Sequence, residues 1–411
     1  MASVSEQAAH GAASTSTLST EQLELNLALL VTCQSPDHPR ALQSVKELIE
    51  RGADAWYEDS ELGWSSLHYA AESDNAELCS YLLSHGAIWN AVDHLGFAAA
   101  EVAFSLNHDA CYRIIFEEGV RQTVILNLLG RQAEDEDEAA DADAEDEQPQ
   151  ADAEADHPGG TAVAIASDEG GCAHMVLQPE HADLANDNDK FLKSKLRFIP
   201  SADDPEVVER CLDEDGNMVM AAWETDIMER TTRLLCEGQP EGFSILNVGF
   251  GLGIVDRLFQ TYKPGRHVIV EAHPDALALM RSQGWDKKPG VEIFGCKWED
   301  AINDVQLGSF DAVFWDTFSQ DYAEQRVFFD ELPNLLSGPQ ARFSFFHGLA
   351  GTNAFFYDVL TRVAEIDLRD IGLETTWFEL QPQLKEEVWE GVKRKYWSLD
   401  TYRLPLSTMA L

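Results

Sequence analysis

The chain has 411 residues, 45% hydrophobic and 25% charged, which is long enough for roughly two or three domains and too apolar to be disordered throughout. Acidic residues outnumber basic ones 73 to 29, a formal charge of −44 at pH 7, so the mean surface field repels a phosphate backbone and no direct nucleic-acid partner is expected. The seven cysteines (Cys33, Cys79, Cys111, Cys172, Cys211, Cys236, Cys296) are scattered and never spaced as CxxC, which argues against a disulfide framework or a structural zinc and for a reducing compartment. No apolar run approaches the ~18 residues of a membrane span. The Ser-, Thr- and Ala-rich start lacks a basic, then apolar, leader. Cytoplasm and nucleus are the expected locations, with no membrane partner and no metal.

Sliding the chain against itself by about 33 residues exposes a repeat. Arg51-Gly52-Ala53-Asp54 recurs as His85-Gly86-Ala87-Ile88, Gly63-Trp64 as Gly96-Phe97, and Gly86 as Gly119. The segment 63–87 predicts a turn, a helix carrying Leu67, Ala70 and Ala71, and a second helix carrying Leu78, Tyr81 and Leu82. This unit resembles an ankyrin repeat, and the resemblance extends over 20–130 with degenerate flanking units as caps. It implies an all-α domain that binds protein. His68 is expected to hold the turn between repeats rather than a metal.

Residues 134–156 alternate acid with alanine and carry 13 carboxylates. Such a stretch cannot bury enough apolar surface to offset its ordering entropy. An acidic, disordered linker is expected over 131–184.

From 185 to 411 short apolar runs alternate with helical spacing. Strands are predicted at Ser244–Gly249, His267–Glu271, Val291–Cys296, Phe310–Trp315 and Arg342–His347, with helices over Ile254–Tyr262 and Asp275–Gln283. That alternation predicts an α/β fold with a doubly wound, mostly parallel, Rossmann-like sheet. Gly249-Phe250-Gly251-Leu252-Gly253 follows the first strand, and Glu271 ends the second, 20 residues beyond Gly251, where an acid can hold ribose hydroxyls. A plain tight turn would also be glycine-rich, but Ala272-His273 and Trp298-Glu299-Asp300 agree with an adenosine site. The glycine pattern suits a dinucleotide and S-adenosylmethionine equally.

Two carboxylates lie outside that pattern. Asp316 follows Phe310-Asp-Ala-Val-Phe-Trp315 at a strand's carboxyl end, the edge where open sheets bind ligands. Glu224 precedes an amphipathic helix, where a capping role is the alternative. Val219-Met220-x-x-Trp223-Glu224-Thr225-x-x-Met228, Leu246-x-Val-Gly-Phe-Gly251, Val270-Glu271, Trp298-Glu299-Asp300 and Asp316-Thr317 together resemble guanidinoacetate methyltransferase. Joined to ankyrin repeats, the domain resembles the fungal type IV protein arginine methyltransferases, which methylate the internal (delta) guanidino nitrogen of arginine.

The resemblance implies S-adenosylmethionine as methyl donor, an arginine-bearing and ribosomal protein as substrate, and no metal. It implies that Met220 and Met228 line the donor pocket and that Phe250, Gly251, Leu252, Gly253, Ile254 and Val255 wrap the methionine moiety. Glu271, Ala272 and His273 take the ribose and adenine side, Trp298 and Glu299 complete the adenine wall, and Phe191 or Phe198 closes over the donor. Glu224 and Asp316 become the guanidinium clamp, with Asp316 also touching the donor. A guanidinium offers five donors in a rigid fork and stays protonated below a pH of about 12, so one carboxylate must hold its plane and another accept its proton. Asp316 is expected to be the acceptor and Glu224 the orienter, though the residues alone allow the exchange. The paired-glutamate loop and Thr-His-Trp signature of common arginine methyltransferases are absent. His347, at the end of the fifth strand, is either a contact to the peptide or a satisfied edge histidine, and Tyr396-Trp397-Ser398 and Tyr402 are expected to form late antiparallel strands without a chemical role. Two alternatives stand: a methyltransferase of small guanidino compounds, and a non-catalytic ankyrin adaptor with a vestigial nucleotide site.

Overall fold

The computed structural model describes residues 19–144, 188–201, 207–304, 307–318 and 320–410, with backbone alone over 131–144. The chain divides into two compact units that part after Gly119.

The first unit holds α1 (Thr20–Cys33), α2 (His38–Glu50), α3 (Ser66–Glu72), α4 (Ala76–Leu83), α5 (Ala99–Ser105) and the start of α6 (Asp109–Ala144). Each start carries its own chemistry. Ser19 accepts from the Gln22 N–H, Asp37 from Arg40 with Pro39 in the first turn, and Asn75 from Leu78, satisfying amide donors that a helix leaves open. Leu67, Ala70, Ala71, Leu78, Cys79 and Leu82 are buried, and the small alanines let neighbouring helices close up. His68, fully buried, accepts from the Ser65 N–H through Nδ1 (3.2 Å). Its Nε2 therefore carries the proton and donates to the Phe97 carbonyl of the next repeat (3.2 Å).

The second unit begins with a small antiparallel sheet. After α7 (Asn188–Lys193) come β1 (Arg197–Pro200), β2 (Val208–Leu212) and β3 (Met218–Ala221). A 3-10 turn, Ala222–Glu224, then leads into α8 (Thr225–Cys236). The main sheet takes β4 (Ser244–Val248), β5 (Arg266–Val270), β6 (Val291–Phe294), β7 (Ala312–Trp315), β8 (Arg342–Phe345), β9 (Leu373–Leu380) and β10 (Tyr402–Met409). Between these run α9 (Ile254–Thr261), α10 (Pro274–Ser282), α11 (Trp298–Ile302), α12 (Tyr322–Leu335) and α13 (Ala354–Asp370).

Strand order is β6-β5-β4-β7-β8-β10-β9, the first five parallel and β10 antiparallel to both neighbours. Side chains of the parallel strands alternate between two apolar layers. Leu246, Val248, Val313 and Trp315 pack with Phe328, Phe329, Phe343 and Phe345, while Ile245, Ala312 and Phe314 pack with Met228, Leu235 and Phe259. The chain runs outward through β5 and β6, then returns to the far side of β4 as β7. A crevice therefore opens at the carboxyl ends of β4 and β7, where the strand order reverses.

The five parallel strands fall where the sequence predicts them, and the fold class is the expected one. Three things differ. Helix α6 runs to Ala144, so the expected linker is helical over 131–144, where alanine and glutamate are strong helix formers; residues 145–187 lie outside the described residues. Tyr396–Ser398, expected as a late strand, has no regular structure, whereas Tyr402–Met409 does form an antiparallel strand. The sheet β1–β3 and strand β9 carry no marked periodicity and were not anticipated. No described helix is long and apolar enough to cross a membrane.

Replacing His68 with alanine removes a bridge between successive repeats and opens a void. The expected cost is about 2–3 kcal/mol, read as faster amide exchange across 65–105; unchanged exchange would show that the bridge contributes nothing.

Candidate active site

The loop after β4 is shaped by what lies against it. Gly249 has φ +94, and a Cβ there would collide with the Asp316 carbonyl oxygen. Gly251 has φ +53, and a Cβ there would lie 2.6 Å from the Met220 sulfur. The loop is thus held between the end of β7 and the small sheet, in a conformation that favours glycine. Its N–H groups are spent within the protein. Gly249 donates to the Val270 carbonyl (2.8 Å), Phe250 to Glu271 Oε2 (2.9 Å), Leu252 to the Met220 sulfur (3.3 Å) and Gly253 to the Phe250 carbonyl (2.7 Å). The Gly251 N–H also supports the Glu271 carboxylate.

The crevice encloses a cavity of about 290 Å³, near the lower end of small-molecule sites. Its lining includes Phe191, Ala272, Cys296, Trp298 and Glu299, together with Glu271 and His273. Glu271 also accepts the His273 N–H through Oε1 (2.6 Å), leaving lone pairs on both oxygens; burial raises its proton affinity and the backbone donors oppose that. His273 Nδ1 accepts from the Asp275 N–H (3.1 Å), so its Nε2–H donates to the Phe191 carbonyl (3.1 Å). That bond ties α7 over the cavity, where the Phe191 ring meets Phe318 at 4.8 Å between centroids. Trp298 is both wall and core, meeting Phe328 edge to face.

The same cavity is lined by Glu224 and Asp316. Glu224, 2% exposed, reaches back from the 3-10 turn to the Ala221 N–H (3.3 Å) and accepts the Tyr396 hydroxyl on the same oxygen, Oε1. Burial, then the nearby Asp316, raises its proton affinity, against these two donors. Asp316 extends from β7, its N–H on the Val248 carbonyl (2.8 Å). Burial and then the Asp256 charge raise its proton affinity as well, and among the described residues no hydrogen bond reaches its carboxylate. Two carboxylates that share a cavity, both disfavoured as anions, form a site for a cation.

Of the expected site residues, the cavity wall includes Phe191, Met220, Glu224, Gly251, Glu271, Ala272, His273, Trp298, Glu299 and Asp316. It does not include Phe198, Met228, Phe250, Leu252, Gly253, Ile254 or Val255. Phe198 sits on β1 against the layer that contains fully buried Met228, Leu252, Ile254 and Val255. The Phe250 ring turns away to meet Trp285 at 5.6 Å, and Gly253 starts α9. Between Phe191 and Phe198, only Phe191 faces the cavity. His347 does not reach it either: its Nε2 pairs with Thr361 Oγ1 (2.8 Å), and burial pushes its imidazole down to about 3. Tyr396, Asn188, Phe318 and Gln320 line the cavity without having been singled out, and Thr317 entered only as part of the Asp316-Thr317 motif. Only Tyr396 carried a signal, as one of the clustered aromatics in Tyr396-Trp397-Ser398, and they suggested a strand instead.

Comparison with known proteins agrees with this division. The ankyrin-repeat family model matches residues 33–125 as three copies. The guanidinoacetate N-methyltransferase family model matches residues 202–330. Among curated proteins, the chain is 37% identical over 390 residues to protein arginine N-methyltransferase 2 of Cryptococcus neoformans, covering 89% of this chain and 91% of that one. It is 38% identical to the protein of that name from Neurospora crassa (89% and 92% covered) and 33% identical to that of Aspergillus fumigatus (92% and 95%).

Gly249→Ala forces a side chain toward the Asp316 carbonyl in a left-handed backbone. The expected loss is about 2–4 kcal/mol, measured by chemical denaturation; a loss below about 0.5 kcal/mol would mean that the loop and β7 part without cost.

Proposed function

The chain belongs to the protein arginine N-methyltransferase 2 family, and from that premise we propose that it moves the methyl group of S-adenosylmethionine to the delta nitrogen of an arginine in a protein substrate. The observation that carries this reading is the pairing of Glu224 and Asp316 at the switch-point crevice, beside a glycine loop whose N–H groups are already committed. A dinucleotide's pyrophosphate needs free amide donors and tolerates no nearby anions. This loop offers few donors and the cavity offers two carboxylates, which suit a cationic sulfonium beside a cationic guanidinium.

The residues present fit the donor. Glu271 has lone pairs left that would take ribose hydroxyls; Trp298, Phe191 and Ala272 would give an apolar wall for the adenine; and Met220, against the glycine loop, would line the methionine side. When bound, S-adenosylmethionine supplies a methyl on a cationic sulfur with a neutral thioether as leaving group. The protein's part is alignment and proton handling. Glu224, its Oε1 held by two donors, presents Oε2 to the guanidinium and fixes its plane. Asp316, with its carboxylate uncommitted, accepts the proton released as the delta nitrogen forms its bond to the methyl carbon and the sulfur–methyl bond breaks. Atoms and charge balance: a guanidinium loses a proton and gains a methyl.

The ankyrin unit over 20–130 recruits the substrate protein, and the unit over 185–411 carries the chemistry. A ribosomal protein, rich in basic residues, suits a chain of charge −44, and such a substrate would be met in the cytoplasm and nucleus.

Incubation with labelled S-adenosylmethionine and ribosomal proteins, followed by acid hydrolysis, is expected to yield delta-methylarginine; label on terminal nitrogens would overturn the assignment. Glu224→Gln and Asp316→Asn should each lower kcat/KM by about 100-fold or more, with Glu224→Gln leaving donor affinity within about threefold. Both carboxyls have raised proton affinity and must be ionised to work. Activity should therefore fall on acidification well above the ordinary carboxylate range of about 4, and a rate level down to pH 5 would contradict the clamp.

A further inference from the structure

We propose that Tyr396 is a positioning residue for the arginine substrate, its hydroxyl fixing one oxygen of Glu224 so that the other faces the guanidinium. The inference rests on the methyltransferase reading and adds a residue outside the segment 202–330 matched by the guanidinoacetate N-methyltransferase family model.

Hydrogen-bond direction carries the argument. The Trp223 indole N–H donates to the Tyr396 oxygen at 2.9 Å. An indole can only donate, so the Tyr396 proton is left to point at Glu224 Oε1, the second partner of that hydroxyl. The relay runs one way, from Trp223 through Tyr396 to Glu224, and ends on the oxygen that the Ala221 N–H also holds.

The relay is fixed from outside the parallel sheet. Tyr396 lies on the segment between β9 and β10, and its ring packs edge to face on Trp389 at 5.3 Å and against Trp223 at 5.8 Å. Three contacts fasten that segment: Lys393 N–H to the Gly216 carbonyl (2.9 Å), Arg210 to the Glu390 carbonyl (2.9 Å) and Ser398 N–H to the Gly351 carbonyl (2.9 Å). A tyrosine needed only to fill space would not require its hydroxyl aimed at a buried carboxylate on the cavity wall.

The titratable groups whose charges bear on Glu224 are Asp316 from the end of β7, Tyr396, and Tyr402 on β10. Tyr396 is thus a hydrogen-bond donor that favours the anion where Asp316 opposes it. Removing the hydroxyl should make Glu224 harder to ionise and free its rotamer.

The test is Tyr396→Phe in the full-length chain, with Trp223→Phe as a second variant that keeps the tyrosine. Expected are unchanged affinity for S-adenosylhomocysteine, kcat on an arginyl peptide lower by about 10–30-fold at pH 7, and an acid limb of the rate profile moved up by about one pH unit. Trp223→Phe should move it the same way by less. Lower thermal stability with an unmoved acid limb would overturn the proposal, leaving Tyr396 a packing residue. Agmatine binding, followed by calorimetry against pH, gives a readout independent of turnover. If the wild-type chain transfers no methyl, the methyltransferase reading fails by itself, while an agmatine binding midpoint unmoved in Tyr396→Phe would still overturn the role of Tyr396.

Discussion

Glu224 and Asp316 are placed against one cavity where burial disfavours the anion of each and Glu224 is further opposed by Asp316. Left alone, such a pair favours holding a proton; with a guanidinium between them, both can be ionised and both can hydrogen-bond. On the proposed reading, the site's specificity lies in that imbalance. A neutral ligand gains nothing from it and an anion is repelled, whereas a planar cation with donors on two edges satisfies both carboxylates at once.

Much of the second unit exists to hold those two groups in register. Asp316 is placed by the parallel pairing of β4 with β7, and Gly249 lets the neighbouring loop approach its carbonyl. Beneath that loop lies a buried polar network. Asn247 Nδ2 donates to the Gly249 carbonyl (2.8 Å) and to Asp256 (2.9 Å), and Asp256 pairs with His267 (3.0 Å), all three side chains fully buried. Asn247 Oδ1 finds no partner among the described residues, but the buried bonds that do form favour one arrangement. Because Asp256 also adds to the field at Asp316, the residue that stiffens the loop helps set the proton affinity of the carboxylate above it. Glu224 comes from elsewhere, out of the turn between β3 and α8, and depends on a segment near the C-terminus for its second donor.

The parts written locally were legible in the sequence. A strand followed by three alternating glycines, a second strand ending in Glu271, and an apolar run ending in Asp316 each place a residue at a sheet's carboxyl edge by chain geometry alone. Two kinds of feature were not. Side-chain direction within a motif depends on helix pitch: Ile254 and Val255 begin α9 and turn into the core, and Met228 does the same one turn into α8. Contacts between remote segments leave no local pattern. Phe191 and Phe198 are both aromatics ahead of the glycine loop, and only the tie between His273 and the Phe191 carbonyl distinguishes them. Tyr396 stands 172 residues from Glu224, and its neighbours looked like an ordinary apolar strand. The acid-rich segment failed in the opposite way, since composition predicts solvation well but says less about whether alanine and glutamate form helix, as they do over 131–144.

Counting protons on guanidinium binding tests the central claim most directly. Calorimetric titration of the full chain with N-acetyl-arginine amide near pH 7, in the presence of S-adenosylhomocysteine and in buffers of different ionisation enthalpy, reports protons released or taken up. Carboxyls whose proton affinity is raised in the empty site and lowered by a bound cation must release protons to the buffer, and Glu224→Gln with Asp316→Asn must abolish that release. Binding with no proton release, or release undiminished in the double variant, would contradict a guanidinium held between the two carboxylates.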